Sequence, residues 1–259
     1  MSHQCNKAVA WYKAVAFLLP MAGCGLIAAT GLQTDYSFDA LKYVSPEFGD
    51  PKSPVTFPDV PCDPPPAADI CSTAVAQIPL NNLTAVCDAT LKKCVGRGEI
   101  RVSETVDIAK QMESSFPAQA IEFGVQLVEV KRVTNWIEKN TLNHATPSID
   151  IYVAPVAAKD ENDPKAALLA KLSSLPMGSF DCADPVYDKG DTKAAQGVRV
   201  CSAPMFDAGK NALGDFVKNY KTPFQVIAHA VTVAKPGDPV PAGAIGFSAR
   251  PTVGLKILD

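Results

Sequence analysis

The chain has 259 residues, 47% of them apolar, which is enough for a sizeable packed core in one large domain or two small ones. Its formal charge is −3, and Lys and Arg are scattered mostly singly, so the basic stripe of a nucleic-acid binder is missing and nucleic acid is not an expected partner.

The N-terminal stretch has Lys7 and Lys13, then the apolar run Ala14-Val-Ala-Phe-Leu-Leu19, then Met21-Ala22-Gly23-Cys24. Charge, apolar core and small residues at the cut are the layout of a secretory signal peptide. The last four residues resemble a bacterial lipobox, with Met21 standing where Leu is usual. The resemblance implies residues 1–23 as signal peptide and lipidation at Cys24. Two other readings stay open: an uncleaved span, since residues 14–32 hold no charge, or an ordinary cut after Ala29-Thr30-Gly31. All three export the remainder, and anchoring on the periplasmic or outer face, at the outer membrane, is the expectation.

Cysteine parity agrees. Outside the export segment stand Cys62, Cys71, Cys87, Cys94, Cys182 and Cys201, an even number as an exported disulfide protein should have. They cluster in neighbouring couples, so local closure (62–71, 87–94 and 182–201) is the economical pairing, with 62–87 and 71–94 as the alternative. No Cys-x-x-Cys occurs and the three histidines are isolated, so no metal site or cofactor is expected.

Eight of the 22 prolines fall between Pro46 and Pro66. Residues 24–61 are therefore expected as a lipidated, proline-rich tether, extended and solvated. Residues 62–97 follow as a Cys-rich segment too short for its own core. The main domain, 98–259, opens with period-2 alternation through Ile100, Val102, Val106 and Ile108, and the pattern returns over 120–134. Ile149, Ile151 and Val153 alternate again, and Val198 with Val200 leads into Cys201. Pro223 to Val233 and Ala244 to Phe247 flank a turn-rich link and read as a hairpin, with Val253 to Ile257 as a final strand. Two segments read as helix: Asp163-Pro164 followed by Ala167, Leu168, Leu172 and Leu175, and Met205 to Tyr220 with Asp207 as a possible cap. About seven strands and two helical insertions predict a mainly β fold, a two-layer antiparallel β-sandwich.

The run from Trp136 through Asn140-Thr-Leu-Asn143-His144 to Ile149-Asp-Ile-Tyr-Val-Ala-Pro155 resembles the central segment of predicted β-rich lipoproteins of myxobacteria and relatives, and Cys87-Asp to Lys93-Cys94 is similar to their short Cys motifs. The resemblance implies an exported β-rich protein and supplies no catalytic residue.

No hydrolase signature is present: Gly246-Phe-Ser248-Ala-Arg250 lacks the second glycine of a nucleophile elbow, and parity leaves no spare exterior thiol. His229 falls on the parity opposite the apolar set of its strand, and His144 follows a turn; neither pattern indicates catalysis. Asp160, Glu161 and Asp163 cluster before the first expected helix, and Asp181, Asp184, Asp188 and Asp191 surround a loop that could offer oxygen ligands to calcium without the spacing of a calcium loop. Trp136 with Tyr152 could make a small contact patch, although a lone Trp is more often a core plug. A non-catalytic envelope lipoprotein with a structural or binding role, anchored by its lipid and facing an envelope protein partner, is the leading expectation. The rivals are an exported hydrolase with a carboxylate or calcium site in loop 156–197 and a secreted ligand-binding module.

Overall fold

A computed structural model of the chain describes residues 32–52, 55–62, 68–76, 78, 83–113, 125–181 and 198–257. The expected class holds: two antiparallel sheets face each other. Ten strands are present among the described residues, in chain order β1 (Leu32–Ser37), β2 (Leu41–Val44), β3 (Leu83–Asp88), β4 (Lys93–Val106), β5 (Val125–Asn140), β6 (Ile149–Pro155), β7 (Ala167–Leu172), β8 (Cys201–Ala203), β9 (Phe224–Ala234) and β10 (Ile245–Ile257). The first sheet runs β1-β10-β5-β8, with β2 also on β10, and the second runs β3-β4-β9-β6-β7. Three helices accompany them: α1 (Ala68–Ala76), α2 (Ile108–Glu113) and α3 (Asp207–Lys218).

The two inner faces meet in one core that includes Phe38, Leu41, Val106, Val133, Ile151, Leu169, Phe224, Val226, Phe247 and Leu255. Residues of one parity on β4, β6, β9 and β10 supply most of it, which is why the period-2 pattern was legible in the sequence. The chain turns between sheets at β8, which pairs with β5 while the next residues bond to β7: Lys171 N donates to Pro204 O and Phe206 N to Leu169 O. Helix α3 packs on β5, β6 and β7 at this short edge, burying Leu213 and Val217, and Phe216 stacks on Phe224 at 5.0 Å.

Several expectations are corrected. Part of the stretch expected as a tether is sheet: β1 and β2 lie end to end along β10, and Phe38 and Leu41 enter the core. The proline at the centre of β10 explains the break. Pro251 has no N–H to give, and its carbonyl accepts from Phe38 N where the chain turns from β1 to β2, so the missing donor falls at a gap in the ladder. The boundary expected at residue 98 also disappears, because β4 runs continuously from Lys93 to Val106.

The segment expected as a first helix is β7. Leu169, Ala170 and Leu172 are buried there, and pairing with β6 outweighs the local 3.6-residue spacing. The second expected helix is α3, but its N-cap is Phe206, with no side-chain cap; Asp207 sits in the first turn, paired with Lys210. Finally, β9 and β10 are not a hairpin. They are central strands of opposite sheets, and residues 235–244 cross between them.

The cysteine pairing follows the alternative: Cys62 bonds Cys87 and Cys71 bonds Cys94, with Cα separations of 5.9 and 5.4 Å. Cys87 and Cys94 do stand opposite each other on β3 and β4, yet each turns to an added layer. Residues 60–62 bond to β4, Cys62 N donating to Lys92 O and Cys94 N to Val60 O, while α1 brings Cys71 over the hairpin. Neighbours in sequence lose to neighbours in the folded layers. Cys201 is also disulfide-bonded, and Cys182 lies outside the described residues.

Candidate functional site

The inner face of the second sheet tapers along its two longest paired strands. In register, Val106 faces Phe224, Val102 faces Ala228, Ile100 faces Ala230, and Gly98 faces Thr232. Large side chains fill one end of the sandwich, where Phe38 meets Phe224 edge-on and Phe224 stacks on Phe216. Small ones leave space at the other. That space is a cleft of about 350 Å³ between the sheets, bordered by Tyr43, Leu83, Ile100, Leu142, Ala230 and Ile245 among others. Its size is at the lower end of small-molecule sites, and its walls are mainly apolar, as such sites are. A Cβ on Gly98 would come within 2.7 Å of Leu83 and 2.9 Å of Thr232, so glycine there lets the disulfide-held β3 close over the cleft wall.

The end of the cleft is built by two crossovers. Residues 141–148 lead from β5 to β6, residues 235–244 lead from β9 to β10, and they bond to each other: Thr141 N donates to Ala244 O and Asn143 N to Ala242 O. The Asn143 side chain ties them further, Nδ2 donating to Val240 O and Oδ1 accepting from Ala242 N, both at 2.9 Å. Gly243 has φ +101°, and a Cβ there would strike the Thr141 carbonyl, so this crossing requires glycine.

His144 follows Asn143 and borders the cleft, its Nδ1 lying 3.2 Å from Asn143 Oδ1. Burial pushes its pKa below the ordinary histidine value, favouring the neutral ring. Burial likewise raises the pKa of Tyr43, which stays a neutral phenol. The Ser45 hydroxyl is engaged, donating to Pro46 O and accepting from Ile245 N.

A second polar constellation lies on the outer face of the same sheet. Arg101, His229, Asp150 and Lys171 form a cross-strand row over β4, β9, β6 and β7. Glu161, from the link between β6 and β7, folds onto it with a side chain only 7% exposed. Arg101 grips both Glu161 oxygens at 2.8 Å and reaches Glu99 at 2.7 Å, and His229 Nε2 lies 2.9 Å from Glu99 and 3.7 Å from Glu161. The Arg101 hydrogen bonds hold the Glu161 carboxyl below the usual carboxylate range.

Ligand atoms of Glu99, Glu161 and His229 lie within 4.8 Å of one another, as a metal site would require. Arg101 already stands where a cation would, pairing with both carboxylates, which share its single positive charge. The structural effect of the cluster is to hold the 156–166 link over a small outer core of Ala154, Ala158 and Ile227. The Cys62, Cys71 and Cys94 sulfurs also crowd together, but they are joined in disulfides and have no thiolate to offer.

The other candidate residues are dispersed. Asp160 and Asp163 cap turns, accepting from Asn162 N and Lys165 N. Asp181 pairs with Arg199, which opposes a cation there, and Asp184, Asp188 and Asp191 lie outside the described residues. Trp136 is 4% exposed and sits under the Arg250 guanidinium on the first sheet, whereas Tyr152 belongs to the second, so they form no common patch. Cys24 lies outside the described residues. Sequence reasoning did not connect Asn143 and His144 with the cleft; the falling side-chain size along β9 was the signal that could have found it. No family model matches the chain, and no curated protein or solved structure matches it.

Proposed function

We propose that this protein is an exported, lipid-anchored binding protein of the cell envelope whose β-sandwich takes a small apolar ligand between its sheets. The observation that carries the reading is the cleft of about 350 Å³, roofed by crossovers that are cross-linked rather than loose. Three disulfide-bonded features support an oxidising, extracytoplasmic setting: the 62–87 and 71–94 bridges and the oxidised Cys201. Anchoring rests on the Met21-Ala22-Gly23-Cys24 sequence, and the lipid would raise the effective concentration of the domain for ligands or envelope partners at the membrane. The role is binding, with no catalytic step assigned.

Fluorescence titration with an anilinonaphthalene dye tests the cleft. Wild type should bind it saturably, and Ala230→Phe, which places a ring in the cleft, should weaken binding at least tenfold while unfolding cooperatively. Equal binding by both proteins would refute the assignment. Radiolabelled palmitate should enter wild type and not Cys24→Ser, and equal labelling would remove the lipid anchor.

A further inference from the structure

The Asn143 amide has only one orientation compatible with its partners. Its nitrogen must face the Val240 carbonyl and its oxygen the Ala242 N–H, both at 2.9 Å. The atom facing His144 Nδ1 is therefore a carbonyl oxygen, which only accepts. Nδ1 must carry the proton, and in the neutral ring Nε2 then has a lone pair. Among the described residues no hydrogen-bond partner faces Nε2. The backbone crossovers thus fix a histidine tautomer at the wall of an apolar cleft.

Two other polar side chains at this cleft are turned toward the protein. Ser45 Oγ has a donor and an acceptor in the backbone, and Thr232 turns its methyl toward Gly98. Arg101 is bonded to Glu99 and Glu161, and Glu99 also to His229, so the charged side chains beside the cleft are engaged with one another on the outer face of the sheet.

We infer that the cleft selects a neutral, ring-sized apolar molecule carrying one hydrogen-bond donor, an alcohol or phenol hydroxyl, which donates to His144 Nε2. This rests on the cleft being a ligand site, and it adds the chemical class of the ligand. The hydroxyl gives orientation, and the apolar walls give most of the affinity.

The test compares 2-naphthol with 2-methoxynaphthalene, equal ring systems with and without the donor, by titration against the full chain in detergent. Wild type should prefer naphthol by about tenfold, the worth of one well-made hydrogen bond. His144→Phe should bind the ether as wild type does and lose the preference; His144→Gln, which restores an acceptor, should recover part of it. Should either variant not fold, nitrogen-15 spectra of histidine-labelled wild type give the same reading: an Nδ1-protonated His144 whose Nε2 resonance moves with naphthol and not with the ether. Equal binding of the two compounds by wild type, or an unchanged preference in His144→Phe, overturns the donor inference and leaves the cleft standing. Binding of neither compound to wild type removes the cleft reading and this inference together.

Discussion

Removing the Cys71–Cys94 bridge by Cys71→Ala with Cys94→Ala should destabilise the fold by about 3 kcal/mol. The bond closes a loop of 23 residues, and cross-linking a loop of that length restricts the unfolded chain by about 3.5 kcal/mol at 25 °C. The value for this variant is somewhat lower, because Cys62–Cys87 remains and its 25-residue loop overlaps the same segment. Both replaced sulfurs are fully buried, so packing loss adds to the effect rather than offsetting it. In urea, with a slope of about 2 to 3 kcal/mol per molar for a domain of this size, the unfolding midpoint should fall by about 1 M. Dye binding under folding conditions should weaken severalfold, since Leu83 on β3 forms part of the cleft wall. A loss under about 1 kcal/mol would refute the loop-entropy reasoning. A non-reducing peptide map joining Cys62 to Cys71 would refute the layered arrangement itself.

Two further outcomes follow from other places in the fold. Glu161→Gln should cost about 1 to 2 kcal/mol at pH 7, where the buried carboxylate faces Arg101. Because the folded pKa is lowered, this contribution is present above the unfolded carboxylate pKa and fades as pH falls through the folded one, so urea midpoints of variant and wild type should converge in acid; a constant difference at all pH would exclude the ion pair as its source. Gly209→Ala should destabilise although alanine favours helix by about 1 kcal/mol, because a Cβ there would fall on the backbone of Leu168 and Leu169; a raised melting temperature would show that α3 can move off β7.

The sequence by itself determined the β class, because inward and outward residues alternate on Ile149 to Val153 whatever their partners. It determined α3 as well, since the apolar stripe of that segment lies between prolines at 204 and 223. The even cysteine number is likewise a property of the chain alone.

Tertiary structure decided the rest. Ala167 to Leu172 is a strand because β6 offers it a partner, and alternation or helical spacing over six residues does not choose between the two. Which cysteine meets which depended on α1 and residues 60–62 arriving over the β3-β4 hairpin, and which strands share a sheet depended on the crossovers. The cleft combines both kinds of information. The small residues Gly98, Ala228 and Ala230 are written in the chain, but only the antiparallel register sets them at one end of the sandwich. His144 acquires its fixed tautomer only when Val240 and Ala242, about a hundred residues away in sequence, close on Asn143. Periodicity is a local consequence of backbone geometry and can be read from a line of letters; long-range pairing is a competition among surfaces and is settled only in the packed state.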